Sequence, residues 1–261
     1  MPDPLVLVER RGAVATLTLN RPEKLNVLNS ALIAEATHAI ADLEGDDGPR
    51  VIVLRGAGRA FVAGADVREM RELNPHSARD FITRLHGLFA MIGTADAIVI
   101  AAVNGPALGG GCELVAACDL RVAAASATFG MPEVRVGMPS VIEAALLVPL
   151  VGLGRAQHLV YTGEVIAAAE ALQWGLVNRV VPDNELDAAV EDLADRVAGF
   201  SRTAMRLQKS LVRRWFYTDS MDLAVKLGID HYAHAFEVPD PRRAIDAFLE
   251  KREIRFDDAG A

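Results

Sequence analysis

Apolar runs and helical periodicities alternate through the first two thirds of the chain. At residues 5–9 and 14–19, apolar and polar positions alternate on either side of Gly12, the pattern of two strands joined by a turn. Residues 51–55 (VIVLR) and 98–103 (IVIAAV) are almost wholly apolar and too short for helices. Such runs form strands covered on both faces. Residues 120–123 and 176–181 predict two further strands, the second stopped by Pro182. Helices are predicted over 30–43, behind a cap at Asn29 or Ser30, and over 77–91, behind a Ser77–Asp80 capping-box pattern. Others fall at 109–117, 142–148, 156–161 and 167–174, the last closed by Gly175. From residue 185 every segment reads as helix: 185–200, 201–214, 219–235 and 241–252. Short strands among helices predict a layered α/β fold, followed by an all-helical region.

Composition narrows the class. The chain has 261 residues, 51% of them hydrophobic, which is enough for one large domain or two small ones with a substantial core. The net charge of −8 argues against a general nucleic-acid or anionic-membrane binder. Two cysteines, Cys112 and Cys118, provide no disulfide framework and no second pair for a zinc site. The N-terminus lacks a secretory pattern, and the longest apolar runs fall short of the ~20 residues of a membrane span. A cytoplasmic protein is expected.

Several motifs fail when tested. Gly56-Ala57-Gly58 follows a strand, but Phe61 stands where a dinucleotide fingerprint needs glycine or alanine. There is no P-loop, no GxSxG elbow and no HExxH. His231 and His234 lie one helical turn apart, which reads as two solvated histidines before it reads as a metal pair.

Three segments place glycine and acid where packing does not ask for them. Arg59 to Asp66 (RAFVAGAD) and Asn104 to Glu113 (NGPALGGGCE) each leave a buried strand and enter a helix. Phe129 to Glu133 (FGMPE) follows a third strand. Glycine lets backbone approach a ligand, and a helix start carries unpaired N–H groups with positive partial charge. Two such turns facing each other make a two-donor oxyanion hole. Glu113 and Glu133 beside them are candidates for general acid–base work on a water.

NRPEKLNVLN (20–29), GRAFVAGADVREM (58–70), AAVNGPALGGGCELVAACDLRVA (101–123) and FGMPEVRVG (129–137) together resemble the crotonase superfamily, and within it the enoyl-CoA hydratase/isomerase family. The resemblance covers essentially the whole chain, including TGEVIAAAEALQWGLVNRVVP (162–182). It implies a crotonase-like ββα spiral core with a helical C-terminal trimerisation region, divided as 1–195 for the core and its acyl-CoA site and 196–261 for assembly. It implies an acyl-CoA thioester substrate, a homotrimer or dimer of trimers, and no metal or other cofactor, coenzyme A being part of the substrate. Carried over by position, the Ala65 and Gly110 amides form the oxyanion hole, and Glu113 and Glu133 are the catalytic pair. Lys24 and Leu25 lie toward the phosphate and pantetheine. Ala63, Ala65, Asp66, Val67 and Arg68 line the CoA arm. Gly109, Gly110, Pro132 and Val141 complete the substrate-binding set, and Phe248 and Lys251 reach toward CoA from the last helix.

One segment departs from the family pattern. Where many hydratases have PGAGGTQ, this chain has Pro139-Ser140-Val141-Ile142-Glu143-Ala144-Ala145. Ser140 and Glu143 read first as an ordinary helix cap. The functional alternative is a reshaped acyl pocket or a third titratable group.

The leading expectation is hydration of a 2-enoyl-CoA to a 3-hydroxyacyl-CoA through a thioester enolate. The alternatives are another crotonase reaction (Δ3,Δ2-enoyl-CoA isomerisation, thioester hydrolysis or a lyase step) and a non-catalytic RNA-binding member. The last needs a basic surface, and the candidate is 201–218 with Arg202, Arg206, Lys209, Arg213 and Arg214. Those residues read more simply as a solvated face pairing with the acidic helix at 185–195. Residues 48–61 hold Arg50, Arg55 and Arg59 and no acid, a basic edge next to the expected CoA loop.

Overall fold

A computed structural model describes residues 3–45, 47–218, 220–254 and 256. Strands β1 (Val6–Arg11), β2 (Val14–Leu19), β3 (Val51–Gly56), β4 (Ile98–Val103), β6 (Leu120–Ala124) and β9 (Arg179–Val181) form one sheet in the order β1-β2-β3-β4-β6-β9. The β1–β2 hairpin is antiparallel, and every later pairing is parallel. Strands β5 (Ala107–Leu108), β7 (Thr128–Gly130) and β8 (Val165–Ala167) form a second sheet. A strand of the large sheet followed by one of the small sheet and then a helix is the repeating unit, clearest in β4–β5–α4 (α4, Gly110–Ala117).

The apolar runs sort between two cores by alternation. In β3 and β4, Ile52, Leu54, Val99, Ala101 and Val103 face the main core. It is shared with α1 (Ser30–Ala41), α3 (Pro75–Thr94) and α4. Val51, Val53, Ile98, Ile100 and Ala102 face α8 (Leu186–Ala198) across the other side of the sheet. Burial on both faces is why these strands contain almost no polar residue.

The three strands of the small sheet were outside the sequence reading. At two or three residues each, they are too short for alternation to show. The capping box of α3 is also displaced. Asn74 is the cap, Pro75 opens the helix, and Ser77 is the reciprocal partner. The predicted helix at 142–148 is a 3-10 turn, Ile142–Leu146, running into α5 (Leu147–Val151). The helical region comprises α9 (Arg202–Phe216), α10 (Met221–Ala235) and α11 (Asp240–Leu249). Asp219, the predicted start of α10, lies outside the described residues, and Ser220 caps that helix. Among the described residues no helix is long and apolar enough to cross a membrane.

Candidate active site

The floor of the site is two strand-to-helix connections laced together. One leaves β3 and reaches α2 (Val67–Met70); the other leaves β4 and reaches α4. Val62 N donates to Pro106 O at 3.1 Å, and Leu108 N donates to Val62 O at 2.9 Å. Leu28 completes the ladder by donating to Gly64 O at 2.8 Å and accepting from Asp66 N at 2.9 Å. That register bonds the residues on either side of Ala65 and turns the Ala65 amide the opposite way. Gly110 is the first residue of α4, so its amide has no partner within the helix. Among the described residues neither the Ala65 nor the Gly110 N–H has an acceptor. Gly64 (φ +109°) and Gly109 (φ +53°) give the backbone this shape. A Cβ on Gly109 would come within 4.0 Å of Gly64 Cα, so the two turns abut.

Two asparagines hold these turns in place, and neither was singled out from the sequence. Asn26 is fully buried, and its side-chain amide donates to the carbonyls of Ala57, Ala60 and Phe61 at 2.8–3.2 Å. Its Oδ1 accepts from Arg21 N. Asn104 donates to Gly58 O at 2.8 Å. The only sequence signal was their position in NRPEKLN and NGPALGG, where Asn26 adopts the left-handed conformation that asparagine tolerates.

Both predicted glutamates reach this floor. Glu113, in the first turn of α4, is 4% exposed and accepts from Ala144 N at 2.9 Å. Burial pushes its carboxyl up to about 8, with the Glu133 and Glu143 carboxylates adding to the rise and the Ala144 amide opposing it. Glu133 follows Pro132 in a 3-10 turn, Pro132–Val136, and is half-buried. A Cβ on Gly109 would lie 2.5 Å from Glu133 Oε1, which places that carboxylate directly over the glycine turn. Glu133 Oε2 accepts from Ser140 Oγ at 2.8 Å. Segment 140–144 therefore holds both acids, one by a hydroxyl and one by an amide.

That geometry corrects the capping expectation. Val141 stands at the cap position with no side-chain cap bond, Ser140 is committed to Glu133, and Glu143 bonds His86. Two other expectations also change. Arg50 donates to the carbonyls of Ala198 and Phe200, and Arg55 pairs with Asp187 on α8. Of the predicted basic edge, Arg59 is exposed. The bases of α9 do not pair with α8 among the described residues. Arg202 donates to Gly48 O, Arg206 pairs with Asp96, and Lys209 is buried against Asp119. The histidine pair is a different case: His231 is part-buried and faces Leu227 O, and His234 is exposed and pairs with Glu237. No group of three metal-ligating side chains occurs among the described residues.

The remaining expected substrate residues ring the floor at different depths. Ala63 N donates to Leu25 O at 3.0 Å, which brings those two residues together at the mouth. Lys24, Val67 and Arg68 are exposed on its rim, and Val141 is half-exposed. The Asp66 carboxylate is taken up by Arg21 at 2.8 Å and by the Arg68 amide. Burial would raise it, but those bonds outweigh burial and hold it below its usual range. Phe248 and Lys251 are exposed at the far end of the helical region. A surface cavity of about 560 Å³ between the end of α3 and α9 includes none of these residues.

Comparison with known proteins identifies the family and the fold. Residues 9–259 match the family model described as enoyl-CoA hydratase/isomerase. The chain is 39% identical to a short-chain-enoyl-CoA hydratase of Clostridium acetobutylicum, covering 95% of this chain and 96% of that protein. It is 38% identical to a crotonyl-CoA hydratase of Syntrophomonas wolfei, covering 96% and 97%. A solved structure of an enoyl-CoA hydratase from Bacillus anthracis superposes with a TM-score of 0.93 at 32% identity, covering 97% of this chain and 99% of that one. One from Mycobacterium smegmatis gives 0.93 at 36% identity, covering 96% and 98%. The chain belongs to the enoyl-CoA hydratase/isomerase family, and its fold is that of the crotonases.

Proposed function

We propose that the protein hydrates a short 2-enoyl-CoA to the 3-hydroxyacyl-CoA. The observation that carries the reading is two carboxyls, Glu113 and Glu133, gripped by one segment above two amides that have no acceptor among the described residues. The Ala65 and Gly110 amides bind the thioester oxygen and stabilise the enolate that forms when water adds at the β-carbon. The acid pair enters with one proton. The carboxylate takes a proton from water as its oxygen attacks, and the carboxylic acid gives its proton to the α-carbon. One proton again remains on the pair, so the site is reset without a net change. The step is redox-neutral, and coenzyme A arrives as part of the substrate. An isomerase shuttling a proton between two carbons needs only one acid, so the second favours hydration.

The exposed cations Lys24 and Arg68 at the mouth suit the phosphates of the CoA arm, and Arg59 is a third exposed cation on the connection that leads to it. We assign residues 196–261 to assembly into a trimer or a dimer of trimers. Met221, Ile229, Tyr232 and Phe248 there are each more than half exposed, apolar side chains that assembly would cover. Light scattering on the purified protein checks the assembly. Two free, buried cysteines fit a reducing cytoplasm.

Purified protein is expected to consume the enoyl-thioester absorbance of crotonyl-CoA. Glu113→Gln and Glu133→Gln are each expected to lower kcat by about 10²–10⁴-fold. Full activity in the double variant would overturn the assignment. Conversion of a 3-enoyl-CoA that stops at the 2-enoyl stage would replace hydration by isomerisation.

A further inference from the structure

Glu143 is a third carboxyl beside the acid pair, and the hydration step above makes no use of it. It is 8% exposed in the Ile142–Leu146 turn. Its Oε1 lies 2.8 Å from His86 Nδ1 on α3, and its Oε2 is buried with no hydrogen-bond partner among the described residues. A buried acid oxygen left without a partner is costly. The backbone leading to it is strained as well. Ile142 has φ +44°, a left-handed conformation that a β-branched residue rarely adopts. Strain of this kind persists where the surroundings impose it, and it gathers at functional sites.

What imposes it is visible in the same turn. The residue after Glu143 donates its amide to Glu113 Oε1. Ser140, three residues before Glu143, holds Glu133. The bend at Ile142 thus lets one short segment grip both acids and brings a third carboxyl within electrostatic reach of Glu113. We propose that Glu143 is a positioning residue of the acid pair, fixing the place of Glu113 through the turn and governing its ionisation through charge. The inference rests on the acid-pair reading of Glu113 and Glu133.

The charged groups around Glu143 define what that charge does. α3 presents His86, α4 presents Glu113, the 132–136 turn presents Glu133 to Glu113, and α9 presents Arg213. α5, of sequence LVPLV, carries no titratable side chain. His86 and Arg213 favour a negative Glu143, though burial outweighs them and raises its carboxyl. A negative Glu143 repels a second negative charge on Glu113 and so keeps the proton there to higher pH.

The test is Glu143→Gln, which keeps the shape and removes the charge, with Glu143→Met as a second uncharged variant should glutamine fail to fold. Removing a negative neighbour lets Glu113 ionise earlier. The limb of the kcat/KM profile that belongs to Glu113 is expected to move to lower pH, by on the order of half a unit or more. The Glu113 carboxyl is also followed directly by infrared titration of the unliganded protein, as the difference from Glu113→Gln, with the same displacement expected. Glu143→Asp, which keeps the charge, is expected to retain the wild-type titration. A folded Gln or Met variant whose Glu113 titrates as in wild type would sink the proposal. If the wild-type protein hydrates no enoyl-CoA, the functional reading fails on its own, and the infrared titration still decides the role of Glu143.

Discussion

Glu113 combines deep burial with a charge it holds poorly, and that conflict reaches beyond catalysis. Its carboxyl titrates near 8 in the folded protein against 4.5 as an unperturbed group. Between those values the folded chain keeps a proton that the unfolded chain has lost, so folding stability falls as pH rises through the interval. Glu113→Gln removes the conflict. Urea unfolding is expected to find the variant and the wild type close at pH 5 and the variant more stable at pH 9, by on the order of a few kcal/mol. Equal pH dependence in both would show that Glu113 is not the residue storing that proton. The two acids of the proposed pair were legible because Glu113 stands in the first turn of an otherwise apolar, glycine-led helix and Glu133 follows Pro132 after a short apolar stretch. Ser140 and Glu143 were not, because a serine three residues before a glutamate writes a capping box equally well. Only the left-handed Ile142 between them, invisible in a sequence, turns the pair toward Glu133 and His86 instead.

At the scale of elements, the working unit is strand, glycine turn, helix, and its glycines have different duties. A Cβ on Gly111 would meet Val62 O at 2.1 Å and Val62 Cβ at 2.9 Å, both parts of the neighbouring connection. Backbone there cannot give way without lifting α4 off the first turn. Gly111→Ala is therefore expected to destabilise the fold by about 3 kcal/mol or more, measured by denaturant unfolding. A Cβ on Gly109 meets instead the Glu133 carboxylate, the mobile end of a side chain, in a backbone of φ +53°. Gly109→Ala, strained in a conformation that side chains rarely adopt, is expected to lower kcat and to cost about 1–3 kcal/mol of stability, less than Gly111→Ala. The reverse ranking would contradict the packing described. The sequence announced this unit through long apolar strands and clustered glycines, both local signals. It did not announce β5, β7 and β8, whose two or three residues pair only because the larger sheet presents them to one another. Nor did it announce Asn26, whose buried amide replaces a strand's worth of bonds between the loop at 20–29 and the turn at 57–61.

Across the whole molecule, the helical region is joined to the core partly by a buried cation. Lys209 on α9 is 7% exposed, donates to the carbonyls of Ile92 and Ala97, and lies 2.7 Å from Asp119. Asp119 in turn accepts from Val99 N, so one ion pair links α9 to the end of α3 and to the start of β4. Helical periodicity alone had assigned Lys209 to a solvated basic stripe, since a buried lysine and an exposed one look alike until their partners are known. Burial pushes the Asp119 carboxyl up, and Lys209 opposes that rise. Removing the cation leaves a buried carboxylate without its partner, which costs more than the pair itself contributes. Lys209→Met is expected to destabilise the protein by about 3–5 kcal/mol. Adding Asp119→Asn is expected to restore much of that loss, because no charge is then stranded. Thermal unfolding of the two single variants and the double variant measures the coupling directly. Strict additivity in that cycle would mean that α9 is held by its apolar contacts alone, and the helical region would then attach to the core independently of Asp119.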